Sequence, residues 1–175
     1  MEVAEALALI ERIIEEHRMY LTELQNIGQV ANDVVVLKGL ELGKEVFMPG
    51  RLDQKHGLQK LKELLTAIAQ GLRGHFNREE VALPGVVAQY GDEEMTSALR
   101  SILLEHEDMR NRIASAEKHV AELTGGTLTR HVWEATAHDM RAHITHTRKL
   151  LEAHASIEQE LLYKLQRALK QARTA

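Results

Sequence analysis

His17, His75, His106 and His154 each fall in phase with a run of apolar residues. Two of them carry a glutamate four residues on, as His75-x-x-x-Glu79 and His154-x-x-x-Glu158. On a helix, side chains four apart share one ridge, so each pair would present an imidazole and a carboxylate together. His17 keeps step with Leu7, Ile10, Ile14, Leu21 and Leu24, and His75 with Leu61, Leu65, Ile68 and Leu72. His106 follows Leu99, Ile102, Leu103 and Ile113, while His154 and Glu158 share a stripe with Leu150, Leu151, Ile157 and Leu161. Each buried polar group left unpaired costs roughly 1 to 3 kcal/mol, and a shared cation removes that penalty. Imidazole with carboxylate suits iron, manganese or zinc better than calcium or magnesium. Iron comes first, because di-iron carboxylate proteins use bundle cores in this way. Four neutral imidazoles and two carboxylates bring only two negative charges, so a pair of ions would need an oxide or hydroxide bridge between them.

Each piece alone has an ordinary explanation. A single His-x-x-x-Glu is commonly a solvated pair worth a few tenths of a kcal/mol, and one in-phase histidine is more often a hydrogen-bonded core residue. The argument for a metal rests on convergence: one inward histidine per amphipathic segment, two of them with carboxylates at the same spacing.

The elements that must position these residues are four helices. The first spans Glu2 to about Asn26, with Gly28 closing it. Residues 29–56 form a long connection containing an apolar patch, Val34 to Leu42, and the turn Met48-Pro49-Gly50. The second helix runs from about Asp53 to Leu83, where Pro84-Gly85 limits it. The third begins near Gly91-Asp92, whose aspartate can cap it, and ends at Thr124-Gly125-Gly126-Thr127. Thr127 or Thr129 caps a fourth helix reaching about Gln171, roughly 60 Å long at ~1.5 Å per residue. The expected fold class is all-α, an up-down-up-down four-helix bundle with a long connection between helices 1 and 2, filling residues 1–175 as a single domain.

Composition narrows the function. Cysteine is absent, which removes disulfides, thiolate zinc sites, iron-sulfur clusters and cysteine nucleophiles. The net charge is −4, with Lys and Arg scattered among acids, so no nucleic-acid footprint is formed. No apolar run approaches the roughly 20 residues that cross a bilayer. The acidic start MEVAEALALIERII does not read as a secretory leader. The expected setting is cytoplasmic, with no nucleic acid and no membrane as partner.

Other residues rank lower. His131, His138, His143 and His146 crowd the fourth helix, but His143 is eleven residues from His154, about 16 Å along a helix axis. They are expected to be solvated or hydrogen-bonded, with a weak second metal site as the sharper alternative. Tyr20, one turn past His17, is a packing residue or a phenol within reach of the site. Glu80 is rotated about 100° from Glu79 and faces solvent or backs the site. Arg110 reads as a surface arginine that pairs with a carboxylate or restricts access.

At these residues the sequence resembles the hemerythrin-like (HHE) cation-binding family. The segments GHFNREEVALPG, LLEHEDMRNRI and AHASIEQELLY match the patterns of its helices 2, 3 and 4, and the likeness covers nearly the whole chain. The string His75-Phe76-x-x-Glu79-Glu80 ahead of Leu83-Pro84, together with Glu105-His106-Glu107, carries the resemblance. It implies two non-haem iron ions, oxo- or hydroxo-bridged, with His17, His75, His106 and His154 as terminal ligands and Glu79 and Glu158 bridging. Oxygen-carrying hemerythrins have a second histidine four residues after the third-helix ligand, where this chain has Arg110. They also place their last acid five residues after the last histidine, whereas Glu158 lies four after His154. In that spacing the chain is similar to the di-iron proteins of iron-sulfur repair and nitric oxide chemistry, although it has no cysteine-containing domain of the kind they carry. The resemblance implies binding of, or reaction with, O2, NO or peroxide, for sensing, storage, detoxification or iron-centre maintenance. The alternatives are a di-iron oxidoreductase with an unidentified electron donor, and a metal-braced interaction module docking through Val34 to Leu42.

Overall fold

The computed structural model describes the backbone of residues 1–41 and 52–174, and the side chains of 1–31 and 57–173. Four helices make up the described chain: α1 (Val3–Glu41), α2 (Leu52–Tyr90), α3 (Glu93–Thr124) and α4 (Arg130–Thr174). There is no strand among the described residues. The all-α bundle expected from periodicity is the observed architecture.

Among the described residues of α1 the buried positions are Ala6, Ile10, Ile13, His17, Tyr20, Leu24, Ile27 and Ala31, alternately four and three apart. That is the seam of helices that pack along their length. On α3 the seam is Leu99, Ile102, His106, Met109, Ile113, Ala116, Val120 and Leu123. The site histidines therefore occupy positions that would otherwise hold leucine or isoleucine.

α1 packs against α2 and α4, and α3 packs against the same two, which leaves α1 and α3 across a diagonal. Two apolar cores result. One joins Tyr20, Leu24 and Ile27 of α1 to Leu61, Leu65 and Ile68 of α2, Ile113 and Val120 of α3, and Trp133 and Met140 of α4. The other joins Ile10 and Ile13 to Leu83 and Val86, Ile102, and Leu161 and Leu165. Residue numbers rise between the cores on α2 and α4 and fall on α1 and α3 in the same direction, so the helices alternate up and down. The polar residues lie in the layer between.

Short connections fix that alternation. Asp92 caps α3, its side chain accepting from the Met95 amide at 2.8 Å. After α3, Gly126 supplies the turn's positive φ of 71°. The Trp133 indole then donates to the Leu123 carbonyl at 3.3 Å, clipping the start of α4 to the end of α3.

Two boundaries and the placing of one side chain differ from the sequence reading. Gly28 does not end α1, which continues to Glu41. No left-handed residue occurs there, and Ile27 and Ala31 keep the seam buried on either side. Pro84 lies inside α2, which runs on to Tyr90. The missing N–H deprives the Glu80 carbonyl of its usual donor, while Leu83, Val86 and Val87 remain in the core. Ile157, expected in the inward stripe, is 54% exposed. One residue is about 100° of helix, and Glu158 holds the seam instead. The turn Met48-Pro49-Gly50 and the side chains of Val34 to Leu42 lie outside the described residues. None of the described helices is long and apolar enough to cross a membrane.

Candidate metal centre

Each helix delivers its seam histidine to the layer between the cores. His17, His75, His106 and His154 are buried with Glu79 and Glu158, and both carboxylates are fully inaccessible. Because α2 and α4 run opposite to α1 and α3, one level of the bundle gathers side chains from all four. Glu79 lies 2.7 Å from His75 Nε2, 3.2 Å from His106 Nε2 and 3.6 Å from His17 Nε2. Glu158 lies 3.1 Å from His17 Nε2 and 3.5 Å from His154 Nε2. The six residues named from the sequence are thus brought together.

Those short distances are not hydrogen bonds in direction. Both oxygens of Glu79, both oxygens of Glu158, the Nε2 atoms of His17, His106 and His154, and His17 Nδ1 are all buried without a hydrogen-bond partner. Buried polar atoms are normally satisfied, and here lone pairs converge on a shared point. Two overlapping groups have donor atoms within 4.8 Å of one another and could each hold a metal ion: His17, His75, Glu79 and Glu158, and Glu79, His106 and His154. The donors are the nitrogen and oxygen types that suit first-row transition metals.

Electrostatics point the same way. Burial works against a charged His17, yet Glu158 and Glu79 outweigh it and push its pKa up to about 9. His106 is raised too, against its burial, by Glu79 and Glu80. Glu79 is held far below the carboxylate range by His106, His17 and His75 despite its desolvation. His154 is pushed down by burial. Without another cation, protons take that place.

Outer carboxylates complete the layer. Glu16 accepts from His75 Nδ1, Glu80 from His106 Nδ1 and Glu105 from His154 Nδ1, each at 2.9 Å. Glu16 is also bound by Arg78 and Arg12, and Glu80 by Arg110. Phe76 stacks on His106 with centroids 4.3 Å apart, and the Arg110 guanidinium lies 5.4 Å from the Phe76 ring centroid. Arg110 therefore pairs with a carboxylate, and Glu80 backs the site. Glu16 escaped the sequence reading, and Glu105 entered it only as part of the string Glu105-His106-Glu107 with no role of its own, although each immediately precedes a site histidine.

Tyr20 is buried, its ring 5.3 Å from that of His75. With His17, Leu24, Leu72 and Leu151 it lines a narrow apolar cavity beside the site. The space accommodates at most about one water-sized molecule. His131, His138 and His146 are exposed, and His143 Nε2 donates to the Arg112 carbonyl at 2.9 Å. None of them joins a potential metal group among the described residues.

No curated protein and no solved structure matches the chain. The model of one family, the hemerythrin HHE cation-binding domain, matches residues 8–165. That match takes in most of each of the four helices and all six inward-facing residues. A buried histidine and glutamate cluster at the centre of the bundle fits a metal-binding role, and the chain belongs to the hemerythrin HHE cation-binding domain family.

Proposed function

We propose that the protein binds two non-haem iron ions, joined by an oxide or hydroxide bridge, and uses them to bind or react with O2, NO or peroxide. His17 and His75 would serve one ion, His106 and His154 the other, with Glu79 and Glu158 between them. The observation that carries this reading is the set of buried, unpartnered donor atoms on four helices. At roughly 1 to 3 kcal/mol for each orphaned group, a layer so composed is a heavy burden on a domain unless a cation fills it. When bound, iron supplies open coordination positions and a change of oxidation state.

The chain's own part is selection and exclusion. The cavity beside His17 and Tyr20 is too small for an organic substrate and is lined mainly by hydrocarbon, which favours a diatomic molecule or peroxide. Phe76 and the two leucine-rich cores keep bulk water from the layer. Two imidazoles for each ion leave more open positions than a histidine-saturated site would. That supports reactivity over storage of the metal itself.

Metal analysis with visible spectroscopy tests the reading. Protein reconstituted with ferrous salt without oxygen and then oxidised should carry about two irons per chain and show a near-ultraviolet oxo-bridge charge-transfer band. A folded protein that takes up no iron would end the proposal.

A further inference from the structure

The outer carboxylates follow a rule of position. Glu16 precedes His17 on α1 but serves His75 on α2. Glu80 follows Glu79 on α2 but serves His106 on α3. Glu105 precedes His106 on α3 but serves His154 on α4. α1, α2 and α3 thus each clamp the imidazole of the next helix from a residue adjacent to their own inward group.

The two halves of the bundle repeat this plan residue for residue. Glu16, His17, His75, Glu79 and Glu80 correspond to Glu105, His106, His154, Glu158 and residue 159. By this correspondence, a fourth carboxylate serving His17 would come from position 159 on α4. That position is Gln159, and its amide donates to the Tyr163 hydroxyl at 2.7 Å. His17 Nδ1 is correspondingly buried and without a partner.

We infer that Glu16, Glu80 and Glu105 are positioning residues that fix three imidazoles with Nε2 toward the centre, and that Gln159 is the missing fourth clamp. His17 is therefore the loosely held member of the set, beside the cavity it lines with Tyr20. The physical basis is general. A carboxylate on Nδ1–H sets the tautomer, restrains ring rotation and makes Nε2 a better donor. An imidazole with no such partner keeps only its packing to hold its orientation.

The inference rests on the proposed metal site, and zinc separates the two, being diamagnetic and free of redox change. Zinc-loaded, histidine-labelled protein is followed by long-range proton–nitrogen correlation spectra. His75, His106 and His154 should show Nδ1-protonated rings with slowly exchanging protons, and His17 a rapidly exchanging one. Gln159→Glu should give His17 a protected Nδ1 proton and slow zinc release to a competing chelator. Glu80→Ala should weaken zinc binding about 10- to 100-fold, with Glu80→Gln intermediate because the amide oxygen still accepts.

Equal protection at all four histidines in the unmodified protein, or no change at His17 in Gln159→Glu, would overturn the inference while leaving the metal site standing. Absence of zinc and iron binding in the unmodified protein would overturn both.

Discussion

Gly71 of α2 lies directly beneath the ring of Tyr20 of α1, so close that an added Cβ would meet Tyr20 Cε1 at 2.8 Å and its hydroxyl at 3.1 Å. The tyrosine is locked in the core and cannot step aside without disturbing the wall of the site cavity. Gly28, by contrast, has nothing within 4 Å of the same added atom. Gly28→Ala should therefore stabilise the protein by about 0.5 to 1 kcal/mol, the helical advantage of alanine. Gly71→Ala should lose that gain to an overpacking cost of about 1 to 3 kcal/mol. Denaturant unfolding of the two variants checks the contrast, and equal stabilisation would show that Tyr20 yields freely.

His75→Ala and Glu158→Ala each remove one donor and leave its neighbours unsatisfied. Both variants should bind less iron than the unmodified chain, as read by metal content after gel filtration. The metal-free His75→Ala form should also lose about 1 to 3 kcal/mol, because the Glu16 carboxylate loses the Nδ1–H it accepts from, or roughly 2 to 4 °C per kcal/mol for a chain of this length. Retention of full iron content in both would remove these residues from the ligand set.

The metal-free protein should be most stable in mildly acidic solution. His17 has its folded pKa raised from 6.5 to about 9. Its contribution is complete below 6.5 and disappears as pH climbs through about 9. Glu79 is depressed from 4.5, so its contribution holds above 4.5 and is lost as pH falls. His154, lowered from 6.5 by burial, adds to the loss on the acid side. Melting temperature against pH should therefore decline in both directions, with the alkaline fall spanning about 6.5 to 9. Iron must displace the proton on His17, so loading at pH 7 should release protons into a weak buffer. A flat profile and proton-neutral loading would contradict the geometry.

Ile157 and Leu161 are one turn apart yet belong to different environments, 54% and 3% exposed. Ile157→Gln should change stability by no more than about 0.5 kcal/mol. Leu161→Ala opens a cavity in the core that holds Ile10 and Leu165 and should cost about 2 to 5 kcal/mol. Chemical denaturation of each measures the difference directly.

The buried histidine and glutamate layer was legible because its residues interrupt a hydrocarbon seam. A histidine in step with Leu61, Leu65 and Leu72 announces its direction without coordinates, and Glu79 and Glu158 follow by the four-residue rule. Helix ends were less legible. Gly28 and Pro84 are strong local stop signals, but the seam continues through both, with Ala31 beyond the one and Val86 beyond the other, and burial outweighed propensity. The outer clamps were hidden for another reason. Glu16 and Glu105 serve histidines on a different helix, and such pairings depend on how neighbouring helices are rotated against each other. Ile157 misled because an apolar side chain one position off the seam looks inward when only type and rough phase are read.

A bundle with its hydrocarbon divided into two separate masses behaves like two short spools on a common axle. Among the described residues the two masses form separate clusters on either side of the polar stratum, so the unity of the melting transition depends on what fills that stratum. Filled by metal, the ends should come apart together in one sharp step. Emptied, they should loosen in succession, and hydrogen exchange would register the two ends at different rates.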